Sequence, residues 1–356
     1  MQLSFIIPKS ANRLGVVRSR APLRLGLAGG GTDLSSYCNE YGGAVLNLTI
    51  NRFAYAFIEL RSDSKLCFRS SDLGQTEELE VSEAFSLDGG LVLQRGVYRH
   101  IIDKFNHGNP IPMTIQSFVD VPMGSGLGTS SAIVVALIEA FRKLLNLPLG
   151  RYDIAKLAYQ IEREELMLAG GRQDQYAATF GGVNFIEFGD KGSTIVNPLQ
   201  ISSSDIDELE TSLVICFMGN ARQSATIIGE QARGLDENRA DTLSGMHQLK
   251  ADAFAMKNAL LSGDIEEMAT IMRHSWKAKK QTAEAISNSS IDHLFDFAMS
   301  NGALAGKLSG AGGGGFMMFM VKPERRPEFV SALRQRDAVA EPVHFCFKGC
   351  ESWIPR

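Results

Sequence analysis

Apolar residues in this chain follow two different periods, one typical of strands and the other of helices. Residues 52–60 alternate, with three aromatic side chains on one face, which predicts a strand. Residues 152–169 carry apolar side chains at helical spacing, with Asp153 as a possible cap. The two kinds of segment do not alternate regularly along the chain. An α+β fold is therefore favoured over a doubly wound parallel sheet.

Further elements follow from the same patterns. Short apolar runs bounded by turn residues predict more strands, at residues 66–69 (a hairpin partner for 52–60), 113–121, 183–188, 213–218, 303–308, 316–321 and 342–347. Residues 223–300 are predicted to be mostly helical, and 324–336 to form another helix. Strands dominate the first half and helices the second, so we expect two domains, 1–205 and 206–356.

The most informative stretch is Pro-Met-Gly-Ser-Gly-Leu-Gly-Thr-Ser-Ser-Ala at residues 122–132, between a predicted strand and an apolar helical run. Glycines let backbone amides approach an anion closely. A helix N-terminus adds unpaired N–H groups and partial positive charge. The hydroxyls of Ser130 and Ser131 can cap the helix or reach a metal ion. This combination suits a triphosphate with Mg²⁺ and indicates phosphoryl transfer.

A second glycine-rich stretch, residues 310–315, matches two nucleotide-binding motifs only in part. It has the glycine spacing of a Walker A loop, but Phe316 and Met317 stand where Lys and Ser/Thr are required. It also matches the dinucleotide motif Gly-x-Gly-x-x-Gly, but a predicted strand follows instead of a helix. The remaining alternatives are a close-packed hairpin, or a wall that approaches nucleotide phosphates through the backbone of Gly312 and Gly313.

Composition sets the broad class of protein. The 356 residues are 44% apolar, with a net charge of −4 and no basic block, so nucleic acid is not an expected partner. Five cysteines without a Cys-x-x-Cys motif favour a reducing compartment and unpaired thiols. No signal peptide and no apolar run of about 20 residues are recognised. We expect a cytoplasmic protein without a membrane partner, acting on small molecules as a monomer or homodimer.

Two further clusters carry charged residues beside glycines. Arg24 and Asp33 bracket a glycine run, where Asp33 could simply cap a helix or could accept hydrogen bonds from substrate hydroxyls. Glu162 precedes Asp174 by twelve residues. Glu162 could belong to a solvated charge run at 162–165. Alternatively, one of these carboxylates ligates Mg²⁺ while the other orients or deprotonates a hydroxyl.

In this order, the clusters resemble the GHMP kinases, which include galactokinase, homoserine kinase, mevalonate kinase and phosphomevalonate kinase. Residues 122–131 are similar to the family's phosphate motif, and the interval from Glu162 to Asp174 is similar to one in galactokinases. Residues 20–33 look like the first motif of heptose 7-phosphate kinases and L-fucokinases. Galactokinases have Glu-His-Thr-Asp where this chain has Gly30-Gly31-Thr32-Asp33.

The resemblance implies a fold and a reaction. The expected fold is the two-domain GHMP-kinase fold, with an N-terminal domain like ribosomal protein S5 and a ferredoxin-like C-terminal domain with added helices. The expected reaction is ATP- and Mg²⁺-dependent phosphorylation of the anomeric hydroxyl of D-glycero-α-D-manno-heptose 7-phosphate. The alternatives are an L-fucose or other free-sugar 1-kinase and a non-catalytic sugar or nucleotide sensor.

The resemblance also implies residue roles. Asp174 and Arg24 are the catalytic residues, and Glu162 with Ser130 holds Mg²⁺, although counting back from Ala132 selects Ser131 instead. Asp33, with Thr32 and Gly31, binds sugar hydroxyls. Candidate cations for the 7-phosphate are Arg172, Arg222, Lys279 and Lys280, although Lys279 and Lys280 could instead belong to a solvated helix face. The nucleotide is held by Pro122, Gly124, Ser125, Gly126, Leu127, Gly128, Thr129, Ser130, Ser131, Gly312 and Gly313.

Overall fold

The structure is a computed structural model that describes residues 15–81, 87, 90–219, 224–336 and 338–355. The described residues form twelve strands and eleven α-helices. The strands are β1 Val16–Ala28, β2 Gly43–Leu60, β3 Lys65–Ser70, β4 Gln75–Glu80, β5 Met113–Val119, β6 Val183–Phe188, β7 Thr194–Pro198, β8 Leu213–Phe217, β9 Ala303–Leu308, β10 Phe316–Val321, β11 Val339–Pro342 and β12 Glu351–Trp353. The helices are α1 Ser35–Tyr41, α2 Val92–Phe105, α3 Thr129–Leu145, α4 Arg151–Tyr159, α5 Gln173–Phe180, α6 Ser203–Ser212, α7 Ser224–Asp236, α8 Ala240–Leu261, α9 Ile265–Gln281, α10 Ser289–Ser300 and α11 Arg326–Arg334.

Eight strands form one sheet, in which the 18-residue strand β2 is central. The order β12-β1-β2-β5-β3-β4 is extended by β6, which pairs with β2, and by β7. One edge of β2 pairs with β1 along most of its length, while the other edge pairs with β6 first and then with β5. Both edges of β2 are therefore occupied. The predicted hairpin between 52–60 and 66–69 is wrong for this reason, because β3 pairs instead with β4 and β5.

The second sheet has four antiparallel strands in the order β11-β8-β10-β9. Helices α7 to α10 lie between β8 and β9 along the chain, as the helical pattern at 223–300 predicts. The predicted strand at 342–347 is wrong. Strand β11 ends at Pro342, which has no N–H to donate, and the next residues contribute only an isolated bridge between Ile50 and Phe345. The mixture of helices with two mainly antiparallel sheets confirms the α+β class.

The predicted helix at 152–169 is shorter than expected. Helix α4 ends at Tyr159, and a single π-helical segment, Gln160–Glu165, continues from it. Met167 then has a φ of 53°, a left-handed conformation that cannot continue a helix. Turns of π-helix are rare and often mark functional sites. Glu162 lies in this segment.

Helix α3 packs at the centre of the molecule. Nearly all of its side chains are buried, with apolar residues around its whole circumference. One hydrophobic core includes α3 residues such as Phe141, residues of β1 and β2, and residues of the second sheet such as Met318. The N-terminus of α3 is therefore held rigidly at the junction of the two sheets. Whether the domain division falls at 205/206 stays a prediction.

No helix in the described part of the chain has the length and apolar character to cross a bilayer. All five cysteines are free thiols, as predicted.

Lys307 on β9 joins the two sheets through a buried contact. Its Nζ donates to the carbonyl oxygen of Gly26 on β1 at 2.8 Å. Burial, together with the nearby cations Lys279 and Arg24, lowers the pKa of Lys307 from 10.5 to about 7, while Asp252 acts in the opposite direction. The charged form of this lysine is therefore costly in the folded state at neutral pH.

We expect the stability of the protein to depend on pH through Lys307. Between the folded pKa of about 7 and the unfolded pKa of about 10.5, the unfolded state binds more protons, so the free energy of unfolding increases with pH. From pH 7 to pH 10, the wild type should gain about 3 kcal/mol relative to Lys307→Met. Chemical denaturation of both proteins over this range measures the difference, with the exposed Lys322→Met as a control. A constant difference between wild type and Lys307→Met would contradict the assignment.

Candidate active site

The loop that follows β5 leads directly into the cavity at the N-terminus of α3. The N-cap of this helix is Gly128, with a φ of 78°, and no side chain caps the first turn. The first helical hydrogen bond in this region runs from the amide of Ala132 to the carbonyl of Gly128. The amides of the first turn are therefore available to an anion. Of the predicted nucleotide-binding residues, Gly124, Gly126, Gly128, Thr129, Ser130 and Ser131 line the cavity.

The second glycine-rich turn packs against the back of this loop. A Cβ on Gly126 would lie 2.5 Å from the carbonyl oxygen of Ser309, and the amide of Phe316 donates to the carbonyl of Ser125 at 2.8 Å. Gly310 and Ala311 reach the cavity wall. Gly312 and Gly313 instead pack against Ile286: the amide of Gly313 donates to its carbonyl, and a Cβ on Gly312 would lie 3.1 Å from its Cα. Gly312 and Gly313, like Pro122, Ser125 and Leu127, are not part of the wall.

Arg24 and Asp174 form a close ion pair in the cavity. The Nε atom of Arg24 donates to Oδ1 of Asp174 at 2.7 Å, and its second terminal nitrogen lies 2.6 Å from the same oxygen. Arg24 also donates to the carbonyl of Gly126 and to the hydroxyl of Ser309. Both residues line the cavity, and no described residue donates a hydrogen bond to Oδ2 of Asp174. That oxygen is available to a substrate hydroxyl.

Asp33 is buried against α5 and does not cap α1. Its Oδ2 accepts the amide of Gln173 at 3.0 Å, and its Oδ1 accepts the Gln173 side-chain amide and the amide of Gly31. Leu34 is the N-cap of α1, without a side-chain hydrogen bond. A Cβ on Gly171 would lie 1.9 Å from Oδ2 of Asp33, so only glycine permits this approach. The alternative that Asp33 is a helix cap is therefore wrong.

Glu162 is fully buried, so its reading as part of a solvated charge run is wrong. Its Oε2 accepts the side-chain amide of Gln175 at 2.6 Å, and the same nitrogen of Gln175 donates to the hydroxyl of Ser131 at 3.1 Å. Burial raises the pKa of Glu162, although Arg163, Ser131 and Gln175 act against this shift. Its Oε1 is buried and accepts no hydrogen bond from the described residues.

Ser131 and Ser130 differ in their surroundings. Ser131 is buried beside Glu162, and its hydroxyl also lies 3.4 Å from a guanidinium nitrogen of Arg163. Ser130 is half-buried, lines the cavity and forms no side-chain hydrogen bond with a described residue. Arg163 reaches the cavity wall and donates to the carbonyls of Gly171 and Leu168.

The predicted substrate residues are only partly brought together. Gly31 lines the cavity with Asp33, whereas the Thr32 hydroxyl bonds to the carbonyls of Gly29 and Ala44, which fastens the loop to β2. Arg172 donates to Gly189, Ser35 and Asn39 and lies outside the cavity wall. Arg222 lies outside the described residues.

Lys279 and Lys280 are adjacent on α9 but differ in position. Lys279 is buried in the cavity wall, where its Nζ donates to the carbonyl of Gly30 at 3.0 Å. Lys280 is exposed and pairs with Asp292. The helical pattern, read alone, placed both lysines on one solvated face, and that reading is wrong for Lys279.

Several residues of the site were not predicted. They include Arg163, Gln173, Gln175 and the α7 residues Ser224 and Ile228. Gln173 and Gln175 flank Asp174 in the sequence, so their closeness to Asp174 was a usable signal. Helix α7 reaches the site by packing against α1 and α8, where Ile228 joins a cluster with Leu34 and Met246, and no local pattern reports this packing. The complete cavity has a volume of about 310 Å³.

Comparisons with known proteins agree with this geometry. The family described as GHMP kinases N terminal domain matches residues 91–182, and GHMP kinases C terminal matches residues 256–338. A D-glycero-alpha-D-manno-heptose 7-phosphate kinase of Campylobacter jejuni is 43% identical over 337 residues, which cover 95% of this chain and 98% of that protein.

Two other relatives extend the comparison. A crystal structure described as a D-glycero-D-manno-heptose 1-phosphate kinase from Bacteroides thetaiotaomicron has a TM-score of 0.81 at 40% identity, covering 96% of this chain and 99% of that one. The bifunctional fucokinase/GDP-fucose pyrophosphorylase of Arabidopsis thaliana is 28% identical over 88% of this chain, which spans 30% of that protein. The α+β fold, the two family matches and the 43% identity together show that this chain belongs to the GHMP kinases.

Proposed function

We propose that this GHMP kinase transfers the γ-phosphoryl group of ATP to the anomeric hydroxyl of D-glycero-α-D-manno-heptose 7-phosphate, giving the 1,7-bisphosphate. The observation that carries the proposal is the Arg24–Asp174 pair, which lies in the same cavity as the uncapped N-terminus of α3. A base for a hydroxyl and a site for a triphosphate thus share one wall. The name of the Campylobacter jejuni relative supports the choice of sugar.

The acceptor side of the proposed reaction depends on Asp174. Oδ2 of Asp174 accepts the proton of the C1 hydroxyl while the oxygen of that hydroxyl attacks the γ-phosphorus of ATP. Arg24 holds the carboxylate in position through Oδ1 and places positive charge beside the transferring group. Asp33 is a hydrogen-bond acceptor in the same wall, suited to the hydroxyls of the sugar ring.

The nucleotide side depends on backbone amides and one carboxylate. Amides of residues 124–131 bind the phosphates, and Arg163, which donates to the hydroxyl of Ser131, adds positive charge beside them. Glu162 and Ser131 are the side chains that would hold Mg²⁺, because the buried Oε1 of Glu162 has no hydrogen-bond donor among the described residues. Bound there, Mg²⁺ would neutralise charge on the β- and γ-phosphates. The contact network of Ser131 favours it over Ser130 for this role.

A second candidate is a kinase that phosphorylates the anomeric hydroxyl of a free sugar such as L-fucose. The 28% identity to the Arabidopsis thaliana fucokinase favours it, although over only part of that longer protein. In both candidates, Asp174 accepts the proton of the anomeric hydroxyl. They differ in whether the acceptor must carry a phosphate.

Turnover of a substrate panel tests the choice between them. With ATP and Mg²⁺, we expect ADP release with heptose 7-phosphate at least about 10²-fold faster, as kcat/KM, than with L-fucose, galactose, mannose or free heptose. Heptose 1-phosphate should be inert, because its anomeric oxygen is already substituted. Phosphorus NMR of the product should show a new anomeric phosphate. Efficient turnover of a free sugar alone would move the protein to the second candidate.

Loss of the proposed base should stop the reaction without removing the nucleotide. Asp174→Asn keeps the shape of the side chain but not its basicity, so kcat should fall by about 10²–10⁴-fold. The Kd for ATP, measured by calorimetry, should change by less than about threefold, because Asp174 is not among the proposed nucleotide contacts. The exposed Asp236→Asn serves as the control. If Asp174→Asn keeps the turnover of the wild type, Asp174 is not the base.

The metal assignment is tested by comparing two neighbouring hydroxyls. Ser131→Ala should raise the Mg²⁺ concentration for half-maximal activity by about tenfold because it removes a hydroxyl ligand, and Glu162→Gln should raise it further because it removes the negative charge of the carboxylate. Ser130→Ala is the matched variant and should change this concentration by less than about twofold. The reverse order of effects would return the role to Ser130. Activity is measured across a Mg²⁺ titration at saturating ATP.

A further inference from the structure

Lys279 is a buried cation that the proposed chemistry does not yet use. Only 7% of the residue is exposed, and its Nζ donates to the carbonyl of Gly30 at 3.0 Å. Within the described ranges, no carboxylate oxygen lies within 4.0 Å of this nitrogen. An ammonium group has three N–H donors, so two remain without a described protein acceptor. A buried charge is costly unless it is paired, which points to a partner supplied by a ligand.

The other cations of the described cavity wall already have partners. Arg24 is paired with Asp174 and donates to Gly126 and Ser309. Arg163 donates to Ser131 and to two backbone carbonyls next to the phosphate loop. Lys279 is therefore the cation of the described wall that has no carboxylate oxygen within 4.0 Å, since Arg24 pairs with Asp174 and Arg163 lies 3.7 Å from Oε1 of Glu162.

Contacts along the wall connect Lys279 with Asp33 and, through Gln173, with Asp174. Asp174 is followed in space by Asp33, because the neighbouring Gln173 donates its amide to Asp33. Asp33 accepts the amide of Gly31, and the preceding carbonyl of Gly30 accepts Lys279. A sugar that presents its reacting hydroxyl to Asp174 and its ring hydroxyls to Asp33 therefore has Lys279 next to the Asp33 contact.

Gly31 leaves the ammonium group open to the cavity. A Cβ at this position would lie only 3.1 Å from Nζ of Lys279, so any side chain would crowd the charge. Both residues line the cavity. The missing side chain makes room for a group of the ligand beside the ammonium.

We propose that Lys279 binds the anionic group of the acceptor, a phosphate at the end of the sugar opposite the reacting hydroxyl. This inference rests on the proposed function and assigns the residue that selects a sugar phosphate over a free sugar. A buried ammonium–phosphate contact is a charge-assisted hydrogen bond, which is among the strong ones. Burial lowers the pKa of Lys279 to about 8, with Arg24 acting in the same direction and Asp33 against it. A bound phosphate would favour the charged form.

The test compares Lys279→Met with Lys277→Met, an exposed lysine on the same helix. Lys279→Met should raise KM for heptose 7-phosphate by about 10²-fold, as expected when one partner of a buried charged pair is removed. Its KM for ATP and its kcat/KM for free heptose should stay within about threefold. Lys277→Met should match the wild type in all three. Calorimetric binding of heptose 7-phosphate without ATP gives the same comparison independently of turnover.

A structural role is separated from recognition by a second pair of variants. Lys279→Gln keeps a donor for the carbonyl of Gly30 but not the charge, and it should lose the preference for the phosphorylated sugar. Lys279→Arg should restore part of that preference. If Lys279→Met fails to fold, as judged by thermal denaturation, Lys279→Gln carries the test.

Two outcomes would overturn the inference, and they can be told apart. If the wild type does not phosphorylate heptose 7-phosphate, the proposed function and this inference fail together. If the wild type does so and Lys279→Gln keeps the KM of the wild type for it, only the role of Lys279 fails.

Discussion

The arrangement of the site depends on one guanidinium group. Arg24 extends from β1 and hydrogen-bonds to three separate parts of the chain: Asp174 at the start of α5, the carbonyl of Gly126 in the phosphate loop, and Ser309 beside the second sheet. A planar guanidinium has donors in fixed directions, so it sets the relative positions of all its partners. The register of the β1–β2 pairing shifts between Pro22 and Leu23 and again between Gly26 and Ala28, so Arg24 lies between two irregularities of the strand. Such irregularities re-aim the side chains that follow them.

Close backbone approach is the second condition for this site. The phosphate loop and the turn at 309–316 contact each other through positions where a Cβ would lie 2.5 to 2.7 Å from a carbonyl oxygen. The side chains that would separate the two loops are absent, so the loops form one thin wall. Polar groups can then converge from both sheets on a cavity of about 310 Å³. The glycines thus serve the geometry of the wall more than direct contact with a ligand.

The sequence predicted the parts of the site that lie within continuous motifs. The strand–loop–helix at 113–141 was recognisable because glycines, hydroxyls and an apolar helix follow one another locally. The pairing of Arg24 with Asp174, separated by 150 positions, followed from the family resemblance and not from any local pattern. The burial of Glu162 was not visible in its charged surroundings, because the π-helical segment that turns it inward has no simple residue signature. Lys279 was a candidate ligand, but its burial was not visible either, because a helical wheel shows a lysine-rich face without showing which lysine the rest of the fold covers.

Strand β12 returns the chain to the first sheet, and this limits where the chain could be cut into stable fragments. After the second sheet is complete, β12 pairs antiparallel with β1, matching Arg20 with Glu351 and Arg18 with Trp353. The second sheet is thus inserted along the chain between β7 and β12, two strands of the first sheet. A fragment ending at Pro342 would leave the outer edge of β1 open along these residues, and an open edge invites pairing with another chain. The strand that carries Arg24 is therefore protected by a segment 331 positions further along the chain, so a nascent chain presents this edge until residues 351–353 have been made.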